Sequence, residues 1–194
     1  MTITTAPLTS ERWADFQSLM GPRGGNGGCW CMRWRQSKAE HDTNAGEPNR
    51  QAMCDIVESD EAPGLLAYED GEPVGWISVA PRPSFPRLEN SSVLKPIDDE
   101  LVWSVSCFLV AKSHRRQRVA TRLLEAACDF VANHGGDIIE GYPIVALRDP
   151  TPDASAWIGF DRLFKQAGFR EVARSSTRRK VMRKSLAREA GSQP

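Results

Sequence analysis

The sequence predicts an α+β fold: a single domain with one mixed, mostly antiparallel sheet of about seven strands and about four flanking helices. Three patterns carry this expectation. Residues 102–110 form an apolar run rich in β-branched and aromatic side chains that reads as a buried strand, and from Val119 the apolar spacing changes to three and four, the period of a helix. Residues 65–79 hold two apolar runs joined by Glu69-Asp70-Gly71-Glu72, and an Asp-Gly pair so placed is a strong hairpin signal. Residues 164–172 turn from a helical pattern through Ala167-Gly168 into a strand, and residues 178–184 return beside it.

With 194 residues and 40% hydrophobic content the chain can bury one sizeable core, and no linker or repeat divides residues 1–184. Lys plus Arg and Asp plus Glu are equal at 25 each, so no net field draws the chain to nucleic acid or membrane. No apolar stretch approaches the roughly 20 residues of a membrane span, and the first residues lack the pattern of a signal peptide. The expectation is a soluble, cytoplasmic protein. Five cysteines is an odd number, and Cys107 and Cys128 fall in apolar-patterned elements, which predicts reduced thiols.

Taken in order, residues 2–6 make a short first strand, and Thr9 or Ser10 caps a helix with Trp13, Phe16, Leu19 and Met20 on one face. Five glycines within residues 21–28 read as a mobile loop, and residues 29–35, dense in large side chains, as a lid or substrate wall. Cys29 and Cys31 invite a metal reading, but a structural zinc site wants four ligands and no second pair stands at zinc-like spacing, so no metal site is expected. The glycine run also lacks the Gly-Lys-Ser/Thr ending of a P-loop. Residues 42–48 are a polar gap, and residues 49–57 a helix with Ala52, Met53, Ile56 and Val57 inward. Residues 82–99, with Pro83, Pro86 and Pro96, read as a long loop. Residues 138–144 form the next strand, and after a proline-broken loop Asp153 or Ser155 caps a helix through Trp157, Phe160, Leu163 and Phe164. Arg178, Arg179 and Lys180 are expected to protect an edge strand, with a second anion patch as the other reading, and residues 185–194 to be a frayed tail.

The entry to the central helix carries the chemistry. A helix start leaves backbone N–H groups without partners, and a Ser, Thr, Asp or Asn side chain normally takes one of them. Arg116-Gln117-Arg118 offers no such cap. Free donors, the positive end of the helix dipole and neighbouring arginines suit a polyanion such as a pyrophosphate. A basic turn alone reads first as a solvated surface; the strand before it and the missing cap favour the anion site.

The strand, the segment Arg115-Arg116-Gln117-Arg118-Val119-Ala120 and the helix with Leu123-Leu124 together resemble the acetyl-CoA-binding motif of the GNAT superfamily of N-acetyltransferases, Q/R-x-x-G-x-G/A. Arg115 fills the first position, Ala120 the last, and Arg118 replaces the middle glycine. Helix starts have negative φ, so Arg118 is expected to sit there with its side chain outward. The resemblance covers residues 102–184 and is topological before them, with the hairpin of residues 65–79 as second and third strands and residues 102–110 as the fourth. It implies a sheet splayed between the fourth and fifth strands, with pantetheine against the backbone of Phe108, Leu109 and Val110. It also implies a pyrophosphate on Gln117, Arg118, Val119, Ala120 and Thr121, with Arg115 or Arg116 near its charge.

Acetyl transfer from a thioester to an amine needs a neutral amine, a donor for the oxyanion and a proton for the departing thiolate. Many GNAT enzymes use a Glu near the fourth or fifth strand and a Tyr on the following helix, and the helix expected over residues 155–167 holds no Tyr. Glu140 is the base candidate, because a carboxylate within an apolar run has its pKa raised by desolvation; a solvent-facing strand-edge carboxylate is the other reading. Tyr142, on the same face of the strand, is the acid candidate. Asp99 and Glu100 are weaker base candidates, and Cys107 reads as core. Trp30, Trp34 and Phe85 are expected to line the acceptor pocket, although Trp30 and Trp34, at helical spacing, read equally as packing. The resemblance thus implies transfer from acetyl-CoA to a primary amine, on a small molecule or a peptide or protein, by direct attack in a ternary complex. No metal, nucleic acid or membrane enters, and a homodimer is compatible with the sequence. The alternative is a non-catalytic acyl-CoA-binding regulatory module, motivated by Arg118 and the missing helix Tyr.

Overall fold

A computed structural model describes residues 2–145, 157–177 and 179–186. Seven strands, β1 (Ile3–Pro7), β2 (Gly64–Glu69), β3 (Glu72–Pro81), β4 (Trp103–Val110), β5 (Ile138–Gly141), β6 (Arg170–Ser176) and β7 (Arg179–Ser185), form one sheet in the order β1-β2-β3-β4-β5-β7-β6. Every pairing is antiparallel except β4 with β5. The helices are α1 (Trp13–Met20), α2 (Lys38–Thr43), α3 (Glu47–Glu58), α4 (Pro86–Glu89), α5 (Val119–Asn133) and α6 (Asp161–Gln166).

The hairpin follows from its turn, since Asp70 and Gly71 adopt φ of 50° and 85°, the paired left-handed values that match the twist of the flanking strands. On one face of the sheet Leu65, Ala67, Ile77, Val105 and Phe108 meet Val119, Leu123 and Leu124 of α5. On the other, Leu66 and Trp76 meet Phe16 of α1 and Met53 of α3. Alternating strand residues supply the two layers, as the pleat dictates. Helix α5 lies close on the sheet because Gly75 has no side chain; a Cβ there would stand 2.7 Å from Val119 Cγ1. The helix closes as the Asn133-His134-Gly135-Gly136 pattern requires, with Gly136 N–H bonded to the Val131 carbonyl at 2.9 Å.

Several expectations change. Residues 21–28 are a hydrogen-bonded knot of turns rather than a loose loop: Gly28 N–H reaches the Arg23 carbonyl, and the buried Asn49 side chain holds the Gly28 carbonyl at 3.0 Å. A Cβ at Gly24 would meet the Trp30 indole at 2.1 Å, so glycine here serves close packing. Part of the polar gap at residues 42–48 belongs to α2, which opens with a reciprocal Ser37–Glu40 capping box. The long loop of residues 82–99 contains α4 and buries Phe85, Leu88 and Leu94. Thr9 precedes a short 3-10 turn without capping it. Strand β5 stops at Gly141, and Ile144 makes only isolated bridges to Phe160 and Arg179. Helix α6 begins at Asp161, so Trp157 and Phe160 lie before it, and the expected caps Asp153 and Ser155 fall outside the described residues. The edge-protection reading fails because β7 is interior, and Lys180 is buried with ion pairs to Asp161 (2.9 Å) and Glu171 (3.1 Å). Arg178 and most of the expected tail, residues 187–194, lie outside the described residues.

Candidate active site

Strands β4 and β5 pair at three positions only, Trp103 with Ile139, Ser104 with Glu140 and Val105 with Gly141. Beyond them β4 runs on while the other chain turns away, with the Pro143 carbonyl accepting from Lys180 N–H at 3.2 Å. Across β4, Ser78 of β3 faces Cys107 and Val79 faces Val105, so Ser106 is the extra residue of a β-bulge. The bulge bends β4 where the fork opens. Phe108, Leu109 and Val110 therefore present a strand edge with no β5 partner. The Phe108 ring is wedged edge-on against Phe164 of α6, centroids 6.0 Å apart.

At the fork's mouth lies the basic turn. Arg116 and Arg118 adopt φ of 62° and 65°, which corrects the expectation of negative φ at Arg118. The position does require the conformation glycine favours, and an L side chain there costs about 1–2 kcal/mol. Left-handed residues alternating with Gln117, which has no positive φ, form the backbone pattern in which successive N–H groups converge to bind anions. No side chain caps α5, and the first turn bond into it runs from Arg122 N–H to the Arg118 carbonyl. The flanks are tied down: Gln117 Nε2 donates to the Ser113 carbonyl (2.8 Å), Arg115 Nε to the Val110 carbonyl (3.4 Å), and His114 Nε2 lies 2.8 Å from Glu69 Oε2. Uncapped amides and an unpaired strand edge fit the pyrophosphate and the pantetheine amides of coenzyme A respectively.

At the closed end of the fork Glu140 and Tyr142 meet, as their shared strand face predicts. The surroundings differ from the expected apolar run. Glu140, 2% exposed, accepts from Arg82 Nη1 (3.0 Å) and the Tyr142 hydroxyl (2.6 Å) on one oxygen and from Arg183 Nε (2.6 Å) on the other. Tyr142 Oη also accepts from Arg82 Nη1 (2.7 Å) and lies 2.8 Å from Ser104 Oγ. Burial, and then the Glu140 charge, push the Tyr142 hydroxyl well above the usual tyrosine range. Sequence reasoning missed Arg82 and Arg183; Arg82 lay in a presumed loop and Arg183 in an ordinary strand. Asp99 and Glu100 line a separate cavity of about 500 Å³ with Asp137 and Ile138, before β4 begins and away from the fork's mouth.

Of the three expected acceptor residues the structure brings only Trp34 to an open cavity, about 730 Å³, with Ser37, Pro86, Arg87 and Arg179. Trp30 is a core residue stacked on Trp13, centroids 6.4 Å apart, and Phe85 is fully buried beneath the Arg35 guanidinium. Trp30 and Cys31 share positive φ, 45° and 64°, which turns the Cys31 thiol under Trp76 Nε1 at 3.2 Å. A hydrogen bond from the Cys107 thiol holds the Cys31 thiol below its ordinary pKa despite burial, helped by Trp76 and Arg35. Cys107 is pushed up by Cys31 and by burial, which keeps it a thiol, in line with its reading as core. Among the described residues no group of three His, Cys, Asp or Glu side chains is placed to hold a metal, and no helix is long and apolar enough to cross a membrane.

A forked mixed sheet with an uncapped, left-handed turn at its mouth defines the class of acyl-CoA-dependent acyltransferases. Residues 30–142, more than half of the chain, match the family described as acetyltransferase (GNAT), and the chain belongs to that family. Solved structures with the same fold include a GNAT-family acetyltransferase from Listeria monocytogenes at 9% identity and TM-score 0.57, covering 95% of both chains. Another is described as histone acetyltransferase HPA2 and related acetyltransferase, from Corynebacterium glutamicum, at 19% identity and TM-score 0.54, covering 98% of this chain and 100% of that one. A third is the PaiA N-acetyltransferase of Thermoplasma acidophilum in complex with coenzyme A, at 14% identity and TM-score 0.53, covering 95% and 99%. No curated protein matches the sequence.

Proposed function

We propose that the protein transfers the acetyl group of acetyl-CoA to a primary amine, by direct attack with both substrates bound. The observation that carries this reading is the uncapped turn at Arg116 and Arg118 opening onto the unpaired edge of β4. When bound, the thioester supplies an activated acetyl carbon; the amine nitrogen bonds to it, the carbon–sulfur bond breaks, and the products are an N-acetyl amine and the free thiol.

The amides of Gln117, Arg118, Val119, Ala120 and Thr121 hold the pyrophosphate, with Arg115 and Arg116 beside its charge. Phe108, Leu109 and Val110 offer backbone groups to the pantetheine arm, and the cavity beside Trp34 admits the amine. Glu140 and Tyr142 serve as positioning residues, because every oxygen of the pair is already engaged by Arg82, Arg183 or Ser104. They pin the closed end of the fork, and the ammonium gives its proton to water in the open cavity. Dependence on acetyl-CoA and five unpaired cysteines fit a reducing cytoplasm.

Thiol release from acetyl-CoA, followed with a disulfide dye across a panel of primary amines, tests the reading. Amine-dependent release with N-acetyl product by mass spectrometry is expected. Tight coenzyme A binding with no release from any amine would overturn it.

A further inference from the structure

Two guanidiniums, of Arg87 and Arg179, line the Trp34 cavity and a third, of Arg33, acts on both, with no carboxylate paired to any of the three among the described residues. Arg87 and Arg179 line it directly. Arg33 stands behind them, with its carbonyl accepting from Arg87 Nη1 at 3.4 Å and its guanidinium 5.3 Å from the Trp157 ring centroid. The Arg33 Nε is buried without a hydrogen-bond partner among the described residues. Arg87 lies 5.9 Å from the Trp34 ring centroid, and Arg87 N–H bonds to the Trp34 carbonyl, so the cluster is fixed to the cavity wall. Burial, and then the positive charge of Arg33, hold both Arg87 and Arg179 below the ordinary arginine pKa.

The other charges at the cavity are committed elsewhere. Lys38 pairs with Asp42 at 2.6 Å, and the Glu40 carboxylate accepts from Ser37 N–H at 2.8 Å in the capping box of α2. Asp42 acts on Arg87 with an opposing but smaller influence than Arg33. Two other arginines packed between elements do have carboxylates: Arg82 has Glu140 and Glu89, and Arg183 has Glu140 and Asp98. Like charges gathered in a half-buried site with no carboxylate paired to them among the described residues oppose folding, and an oxyanion bridging them would offset that repulsion.

Resting on the acetyltransferase reading of the same cavity, we infer that Arg33, Arg87 and Arg179 bind an oxyanion carried by the acceptor, so that the amine acetylated bears a carboxylate or a phosphate. Planar guanidiniums match both groups in paired hydrogen bonds. Polyamines and lysine-rich tails are disfavoured by the same field. Trp34 offers an apolar wall beside the anion site.

The test compares matched acceptors on the CoA-loaded protein by calorimetry and, with acetyl-CoA, by thiol release. The probes are the twenty L-amino acids against their carboxamides, phosphoethanolamine against ethanolamine, and spermidine. At least one anionic amine is expected to bind about tenfold or more tighter than its neutral match, through charge-assisted hydrogen bonds. Preference within the anionic set separates carboxylate from phosphate. Arg179→Gln and Arg33→Gln are expected to raise KM for that amine by about tenfold or more while leaving kcat and the neutral match little changed. Equal binding of anionic and neutral partners, preference for spermidine, or no binding by any anionic amine would each overturn the inference. Selective binding without thiol release would uphold it and sink the transferase reading instead.

Discussion

The Tyr142 hydroxyl donates a 2.6 Å hydrogen bond to the Glu140 carboxylate while accepting one of 2.7 Å from Arg82, so the two candidate catalytic side chains are locked to each other. Both Glu140 oxygens already accept from a guanidinium, so a substrate proton would have to compete with those bonds. Tyr142→Phe is therefore expected to leave kcat within a few-fold of wild type, where loss of a general acid would cost about 10²–10⁴. Glu140→Gln leaves Arg82 and Arg183 facing a neutral amide, and a destabilisation of about 3–5 kcal/mol is expected. The acid limb of its kcat/KM profile against pH is expected to stay where the wild type has it. Disappearance of that limb would make Glu140 the base.

Backbone conformation at Arg118 makes a second prediction. Because φ is 65° there, Arg118→Gly is expected to be neutral or stabilising, and Arg118→Val destabilising by about 1–2 kcal/mol, read from urea midpoints at constant slope. Coenzyme A affinity should survive the glycine change, because the amides do the holding. Arg116→Glu, which sets a carboxylate beside the pyrophosphate, is expected to weaken binding. An unchanged dissociation constant for Arg116→Glu would remove that arginine from the phosphate site.

Gly75 couples the sheet to the turn. A methyl group there would meet Val119 and Leu123 at 2.7 and 3.0 Å, lifting the start of α5 from β3. Gly75→Ala is expected to cost about 1–3 kcal/mol as overpacking and to weaken coenzyme A binding together with stability. Lost stability with unaltered affinity would show that the turn does not depend on how α5 is seated.

Stability at high pH depends on the two tyrosines. Burial, and then Glu140, raises Tyr142; burial, and then Asp15, raises Tyr68, whose hydroxyl donates to Asp15 at 2.8 Å. A group whose folded pKa lies above its unfolded value stabilises fully below the unfolded value, about 10 for tyrosine, and loses that contribution as pH climbs through the folded one. Urea stability is expected to hold steady from these groups between about pH 7 and 9 and to fall above about 10. Phenolate absorbance should appear together with unfolding. Phenolate formation in the intact fold near pH 10 would contradict the buried network.

What the sequence made legible was local. The Asp70-Gly71 turn, the amphipathic face of α5 and its glycine-rich end are dictated within a few residues, and each stands where expected. The Ser37–Glu40 capping box was equally local, and only its polar setting hid α2. At Arg118 the negative φ of a helix start does not hold, because the residue before the first helical one still belongs to the turn. Other misses are long-range. Arg82 finds Glu140 across 58 residues, and no period in either segment announces the partner. Lys180 could not be told from an exposed edge charge until the sheet order placed β7 between β5 and β6. Trp30 and Trp34 look alike in sequence, yet Trp30 joins the α1 core and only Trp34 reaches the cavity.

The most direct test is a crystal structure with coenzyme A bound. The account predicts pyrophosphate oxygens within hydrogen-bonding distance of the amides of residues 117–121 and the pantetheine arm alongside Phe108, Leu109 and Val110. Coenzyme A seated elsewhere, or those amides satisfied by the protein with β5 paired along the whole of β4, would contradict it.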